Sequence, residues 1–280
     1  MSLELIKKLR EETSAGMLEC KKALEQANGD YESAKVIIEK TVQKTNESKR
    51  VASKGLCHVV TRDNEAILFE VNAETDFVSK NEHFKELITK MGEVLIESHA
   101  TYPKEALKVN MGTKTVDEAI QYTSGIIKEN AYLRRFFRIK KQDHQSFGTY
   151  IHQGGKVVTL VVLNTNHQEL AKDLAMQVAA NPPTYLSLDT IDSQTRLYEK
   201  MMLEKKDQPS DEEAVLTHLR SLTLYDQMFI KESHTTVFEM VKNNQSEVVD
   251  FFRFELGQGI EDKLSCKLNL PCEGSIIEIK

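Results

Sequence analysis

Apolar positions recur at helical spacing three times within the first forty residues: Leu5, Ile6 and Leu9, then Met17, Cys20 and Leu24, then Ala34, Ile37 and Ile38. Polar punctuation separates the three stripes. Thr13 to Gly16 divides the first from the second, while Asn28-Gly29-Asp30 supplies a glycine to end the second helix and an aspartate to cap the third. The spacing predicts a small bundle of three short helices, marginal as a core by itself and suited to recognition. Thr41 to Lys54, rich in Lys, Ser, Thr and Asn and lacking an apolar face, reads as a linker.

From Gly55 the period changes to two. Val59 and Thr61, then Ile67, Phe69 and Val71, predict two strands joined at Arg62-Asp63-Asn64-Glu65, and Phe84, Leu87, Ile88, Met91 and Leu95 predict a helix after them. The same order returns later. Gly148 to Ile151, a Gly154-Gly155 turn and the run Val157 to Leu163 precede a helical stripe through Leu170, Leu174 and Val178. The pattern therefore predicts an α+β core of two related halves with antiparallel strands. The halves differ between strand and helix: Asn72 to Leu87 is 15 positions and Asn164 to Leu170 is 6, leaving nine extra residues in the first half. That insertion contains Glu74-Thr75-Asp76-Phe77-Val78. A large apolar side chain in a surface connection either folds back on the core or meets a partner, and pattern alone favours folding back.

Tyr198, Met201 and Met202 make a further stripe that Lys205 to Pro209 interrupts, after which Ser210 and Glu213 offer a capping box for a helix through Val215, Leu219 and Leu222. This predicts an antiparallel helical hairpin with arms of about 16 residues, each roughly 24 Å long.

Composition narrows the function classes. Length, 280 residues, permits about two domains and would permit an enzyme; 37 basic and 43 acidic side chains give a net charge of −6. Residues 1–54 hold 11 Lys/Arg against 9 Asp/Glu and the remainder 26 against 34, so neither part has the excess of a nucleic-acid binder. The one basic cluster with aromatics, Arg134 to Lys141, reads as a strand with Phe137 and Ile139 on a buried face. No apolar run reaches membrane-spanning length, and charges at Glu4, Lys7, Lys8 and Arg10 break the apolar stretch a secretory signal needs, which leads to a cytoplasmic expectation with no membrane contact. Cys20, Cys57, Cys266 and Cys272 form no CxxC pair and read as reduced thiols.

Catalytic motifs are weak. Gly112-Thr113-Lys114-Thr115 imitates the end of a phosphate loop, but Lys108 stands where the leading glycine is required; Gly257-Gln258-Gly259 lacks the third glycine of a dinucleotide fingerprint. The eight histidines show no metal spacing, and no cofactor is expected. His152 stands out because it lies at a hairpin tip, where a side chain can meet a partner, although pattern alone favours an ordinary exposed turn histidine.

Several ordered strings carry a resemblance. They are Lys8 to Met17 running into Cys20 to Leu24, Asn72-Ala73-Glu74-Thr75-Asp76-Phe77-Val78, the Tyr150/His152 hairpin, Ala175 to Ala180, and Phe252 to Ile260. Together they span nearly the full length, and the chain resembles the bacterial elongation factor Ts family. The resemblance implies a guanine nucleotide exchange factor for elongation factor Tu in its GDP-bound and nucleotide-free forms, acting in translation elongation without covalent chemistry, cofactor or direct nucleic-acid contact. It implies a division into a UBA-like helical module and linker at 1–54, an N-terminal core half at 55–140, and a C-terminal half at 141–280 carrying a coiled-coil hairpin at 187–230. By the same resemblance Thr75, Asp76, Phe77 and Val78 reach toward the partner's magnesium site. Leu9, Arg10, Met17, Cys20, Lys21, His152 and Gln153 become further partner contacts, and the hairpin serves self-association or another contact. Two departures stand against the family pattern. Ser14 replaces a common glycine, and after Ile260 the string with Pro271, Gly274 and Ile276 to Ile279 reads as turn and strand where the family continues as a helix. Two rival functions keep their own signatures: an enzyme with scattered residues needs a deep pocket with shifted acids, and an RNA-binding adaptor needs Arg134 to Lys141 free.

Overall fold

A computed structural model describes residues 3–13, 15–44, 52–258 and 276–278. The chain is a mixed α/β protein whose contacts divide it into two compact units. One holds the described residues up to His58 with Phe69–Phe137; the other holds Val59–Leu68 and the described residues from Arg138 onward.

The first unit begins with α1 (Leu3–Thr13), α2 (Met17–Gln26) and α3 (Tyr31–Lys44), which meet over Ile6, Leu9, Ala15, Cys20, Ala23, Leu24, Ala34 and Ile38. Local chemistry sets their ends. Glu19 Oε2 accepts from Gly16 N at 2.9 Å, Gly29 takes φ +88° and donates to Leu24 O at 2.8 Å, and Asp30 Oδ2 accepts from Ser33 N at 2.9 Å. The third helix continues to Lys44, into the stretch read as linker; residues 45–51 and Ser14 lie outside the described residues.

β1 (Lys54–Arg62) and β2 (Glu65–Ala73) follow, then α4 (Glu82–Glu97), α5 (Pro103–Ala106), the ribbon β3 (Asn110–Met111) and β4 (Lys114–Thr115), α6 (Val116–Ile127) and β5 (Tyr132–Lys140). Strand order in the main sheet is β1-β2-β5, completed by β11 (Ile276–Glu278) pairing parallel to β5. The strand expected in the tail is therefore present; Pro271, Gly274, Cys266 and Cys272 lie outside the described residues. The alternation expected for the strands is not seen at β2, which runs centrally between β1 and β5 and is buried from Ala66 to Ala73, so that both of its faces are covered. β5 corrects its expectation likewise: Phe136, Phe137, Arg138 and Ile139 are all buried. Gly112 sits in the tight β3–β4 turn at φ +75°, and Lys114 lies 3.7 Å from the Tyr122 ring centroid.

The second unit contains β6 (Ser146–His152), β7 (Val157–Leu163), α7 (Gln168–Ala180), α8 (Ser193–Lys205), α9 (Glu212–Leu222), β8 (Met228–Phe229), β9 (Glu232–Thr236), α10 (Val237–Asn243) and β10 (Val248–Glu255). β7 lies centrally in the antiparallel order β10-β7-β6 and is buried throughout. α7 packs so closely on β6 that a Cβ at Gly148 would stand 1.9 Å from Ala171 C and 2.0 Å from its O. The two helices expected at 187–230 form, but as 13 and 11 residues, shorter than expected, and 187–230 also takes in β8. Asp211, not Ser210, caps α9 by accepting from Ala214 N at 2.9 Å, since the carboxylate one residue on reaches the first-turn donor.

Candidate functional site

The insertion after β2 is a firmly tied loop with one loose side chain. Thr75 leaves the strand in extended conformation (φ −128°, ψ 158°) and a single 3₁₀ turn, Asp76–Lys80, follows. Val78 turns inward and is 2% exposed, its N–H donating to Thr75 O at 3.4 Å, and Ser79 Oγ donates to Asp76 O at 2.7 Å. Asn81 then closes the turn by donating to Val78 O and caps α4, its Oδ1 accepting from His83 N and Phe84 N at 3.0 and 3.4 Å. Phe77, held between these anchors, is 80% exposed. The fold-back expected from pattern is thus corrected: a five-residue 3₁₀ turn places neighbouring side chains about 120° apart, so Val78 seals the core while Phe77 faces solvent.

Two residues that sequence reasoning missed, Glu129 and Asn130, hold this loop from 54 and 56 positions away. Glu129 is bidentate, Oε2 accepting from Thr75 N at 2.8 Å and Oε1 from Thr75 Oγ1 at 2.6 Å. Glu74 Oε1 accepts from Asn130 N at 3.3 Å. Lys128 ends α6 in the left-handed conformation, φ +58°, and its Nζ lies 3.7 Å from Glu19 Oε1 at the start of α2. The segment 128–130 therefore reaches both the loop and the helical bundle within one unit. In sequence it is only a polar run closing a helix, and nothing in its residue types points to Thr75.

The other candidate residues fall into two groups. Arg10, Met17 and Lys21 are exposed on the bundle, with neighbouring Leu18 65% exposed. Leu9 and Cys20, also expected among the contacts, are fully buried in its core, where they hold the bundle together from inside. Burial also pushes the Cys20 thiol up from its ordinary value, keeping it protonated. In the second unit His152 ends β6 half-buried, its Nδ1 3.5 Å from Tyr150 OH. Gln153, Gly154 and Gly155 then take φ +48°, +66° and +105°, a tight turn that leaves Gln153 exposed.

The basic strand has its own carboxylates. Glu70, with no exposed side-chain surface, receives Arg134 at 2.9 Å and Arg135 at 2.6 Å, while Glu65 pairs with Lys140 at 2.9 Å and with Arg138. Burial alone would raise the Glu65 carboxyl, but Lys140 and Arg138 outweigh it and hold the group below its usual range. In the second unit an open polar cleft of about 840 Å³ is lined by Asp63, Lys141, Asp143, Glu169 and Lys172 among others, and burial lowers the Lys141 ammonium pKa. Among the described residues no group of three or more acidic, His or Cys side chains could hold a metal, and no helix is long and apolar enough to cross a membrane.

A family model described as elongation factor TS matches residues 74–258, from the start of the inserted loop to the end of β10 and its following turn. Three relatives bear the name elongation factor Ts. That of Acholeplasma laidlawii (strain PG-8A) is 39% identical over 277 residues, covering 93% of this chain and 94% of the relative. That of Phytoplasma australiense is 36% identical over 272 residues, 91% and 98%. That of Aster yellows witches'-broom phytoplasma (strain AYWB) is 36% identical over 271 residues, 92% and 99%.

Proposed function

The chain belongs to the elongation factor Ts family, and from that premise we propose that it is a guanine nucleotide exchange factor for elongation factor Tu. It binds the GDP complex, and the Thr75–Val78 loop disturbs the partner's magnesium and phosphate site so that GDP leaves and GTP can enter. The observation that carries this reading is Phe77, 80% exposed on a loop fixed at both ends. An apolar ring held out at a defined place gains roughly 1.5–3 kcal/mol when a partner buries it. A loop already ordered before binding gives up little of that to conformational entropy. GDP is held by phosphate contacts and Mg²⁺, so a wedge that shifts those elements weakens the nucleotide. Coupling is reciprocal: whatever factor this chain takes from GDP affinity, GDP takes from the affinity for this chain.

Exchange of this kind makes and breaks no covalent bond in this chain. We assign the bundle of the 1–54 module, UBA-like in its three helices, a contact through Arg10, Met17 and Lys21. His152 and Gln153 form a second contact from the 141–280 half, and the 55–140 half carries the wedge. The helical pair α8–α9 is a coiled-coil arm with Leu197 60% and Met201 49% exposed, open to self-association or a further contact. The carboxylate partners of Arg134, Arg135, Arg138 and Lys140 favour a protein partner over RNA. Release of fluorescent GDP from elongation factor Tu tests the proposal. The chain should accelerate release in a concentration-dependent, saturable way, and His152→Ala should weaken that saturation; a folded chain that leaves the release rate unchanged overturns the function.

A further inference from the structure

The Phe77 loop is held by a residue far from it in sequence, and that anchor has a particular form. Thr75 occupies the position before the 3₁₀ turn where a side-chain oxygen commonly caps the first donors, yet its side chain makes no capping bond. Its hydroxyl instead donates to Glu129 Oε1 at 2.6 Å, and its backbone N–H to Glu129 Oε2 at 2.8 Å. Both bonds to one carboxylate fix the backbone and the side chain of the residue two before Phe77 at once. Charge-assisted hydrogen bonds of this length are the stronger class. Glu129 is itself set by its surroundings: its N–H donates to Ser124 O at 3.2 Å, Ser124 Oγ accepts from Ala131 N at 3.1 Å, and Asn130 N donates to Oε1 of Glu74, the residue just before Thr75.

From this geometry we infer that Glu129 is a positioning residue of nucleotide exchange, acting through Thr75 to present Phe77 before the partner arrives. The inference rests on the exchange function proposed above. Glu129 touches neither nucleotide nor the reacting site; it removes the cost of ordering the loop in the step after binding, when Phe77 enters and opens the partner's nucleotide site, the general advantage of preorganisation. Releasing the carboxylate leaves Phe77 in place chemically but lets the turn sample other directions.

The test is a double-mutant cycle in the fluorescent GDP release assay, with wild type, Glu129→Ala, Phe77→Ala and the pair, each checked by thermal melting. Glu129→Ala should lower the maximal acceleration by about tenfold, the loss of one or two charge-assisted bonds, with the half-saturating concentration held within about twofold. In the Phe77→Ala background the same change should have no further effect, because its only route is through that ring. Thr75→Val, which keeps the backbone donor and loses the hydroxyl, should fall between wild type and Glu129→Ala, and it serves in place of Glu129→Ala if that variant does not fold. Additive losses in the cycle, or full activity in a folded Glu129→Ala variant, would overturn the positioning role while leaving the exchange function standing. A wild-type chain without exchange activity would instead mean that the function itself is wrong.

Discussion

Two connections in this molecule make the same step, from a buried strand to a packed helix, and do it differently. After β7, residues 164–167 are tied to other segments of their own unit. Asn164 Oδ1 accepts from Glu247 N at 2.7 Å, Ser146 Oγ donates to Thr165 O at 2.8 Å, and His167 caps α7 by accepting from Leu170 N at 3.3 Å. Its polar groups find partners within the unit, and it presents no large apolar side chain. After β2 the connection, residues 74–81, is four residues longer rather than the nine expected from spacing, because α4 begins at Glu82, well before Leu87; it buries Val78 and leaves Phe77 in solvent. Extra length alone would have given a wandering loop; anchors from Glu129 at one end and Asn81 at the other turn it into a fixed projection. The difference teaches that the connection after β7 only joins its elements, whereas the one after β2 uses its added residues to build a surface.

The largest expected effect contrasts two phenylalanines seven positions apart. Phe84, on the first turn of α4, is fully buried, so Phe84→Ala should cost about 3–5 kcal/mol and lower Tm sharply, whereas Phe77→Ala should stay within about 0.5 kcal/mol of wild type in the same denaturant titration. Equal losses at the two positions would make Phe77 part of the core and erase the contrast. Next comes the strand beneath the shorter connection. Gly148→Ala forces a methyl into the Ala171 backbone at 1.9 Å and should destabilise the second unit by roughly 3 kcal/mol, seen as an early loss of amide protection in β6 and α7. Protection unchanged from wild type would show that α7 moves aside freely.

The smallest effect is electrostatic and lies on β10. Burial raises the Asp250 carboxyl above its ordinary value of 3.8, against the pull of the bond it accepts from Phe251 N at 2.7 Å. The folded state thus favours the protonated form. The stability that protonation lends is fully present below the unfolded value and is lost as pH rises through the raised folded value. Asp250→Asn should therefore raise Tm by a few degrees at neutral pH and by nothing at pH below about 3.8. A gain of the same size at both pH values would assign it to packing instead.

Much of the architecture is legible in the periodicity. The stripes of α1, α2, α3, α4 and α7 and the hairpins β1–β2 and β6–β7 follow from local spacing, as do the Gly29 stop and the Asp30 cap. What escapes is set by partners distant in sequence. Alternation at β2 and β5 misreads strands covered on both faces, where Glu70 becomes a buried carboxylate only because Arg134 and Arg135 arrive 64 and 65 positions later. The candidate loop is visible as an insertion, but its residue types cannot say which of Phe77 and Val78 turns inward. Nor can they say that Leu9 and Cys20 lie inside their bundle. The anchor at Glu129 has no local signal at all, since a carboxylate after a helix end is ordinary.

The central claim is that a fixed, exposed Phe77 opens the nucleotide site of a partner GTPase. Its most direct test is the rate of fluorescent GDP release from elongation factor Tu at saturating wild-type chain and at saturating Phe77→Ala, with the two proteins shown to melt alike. The chain has no Trp, so a partner's Trp can also be followed without background. The account predicts rapid release with wild type and a rate about tenfold slower with the variant, the scale of one buried ring. Release as fast with Phe77→Ala as with wild type would contradict it.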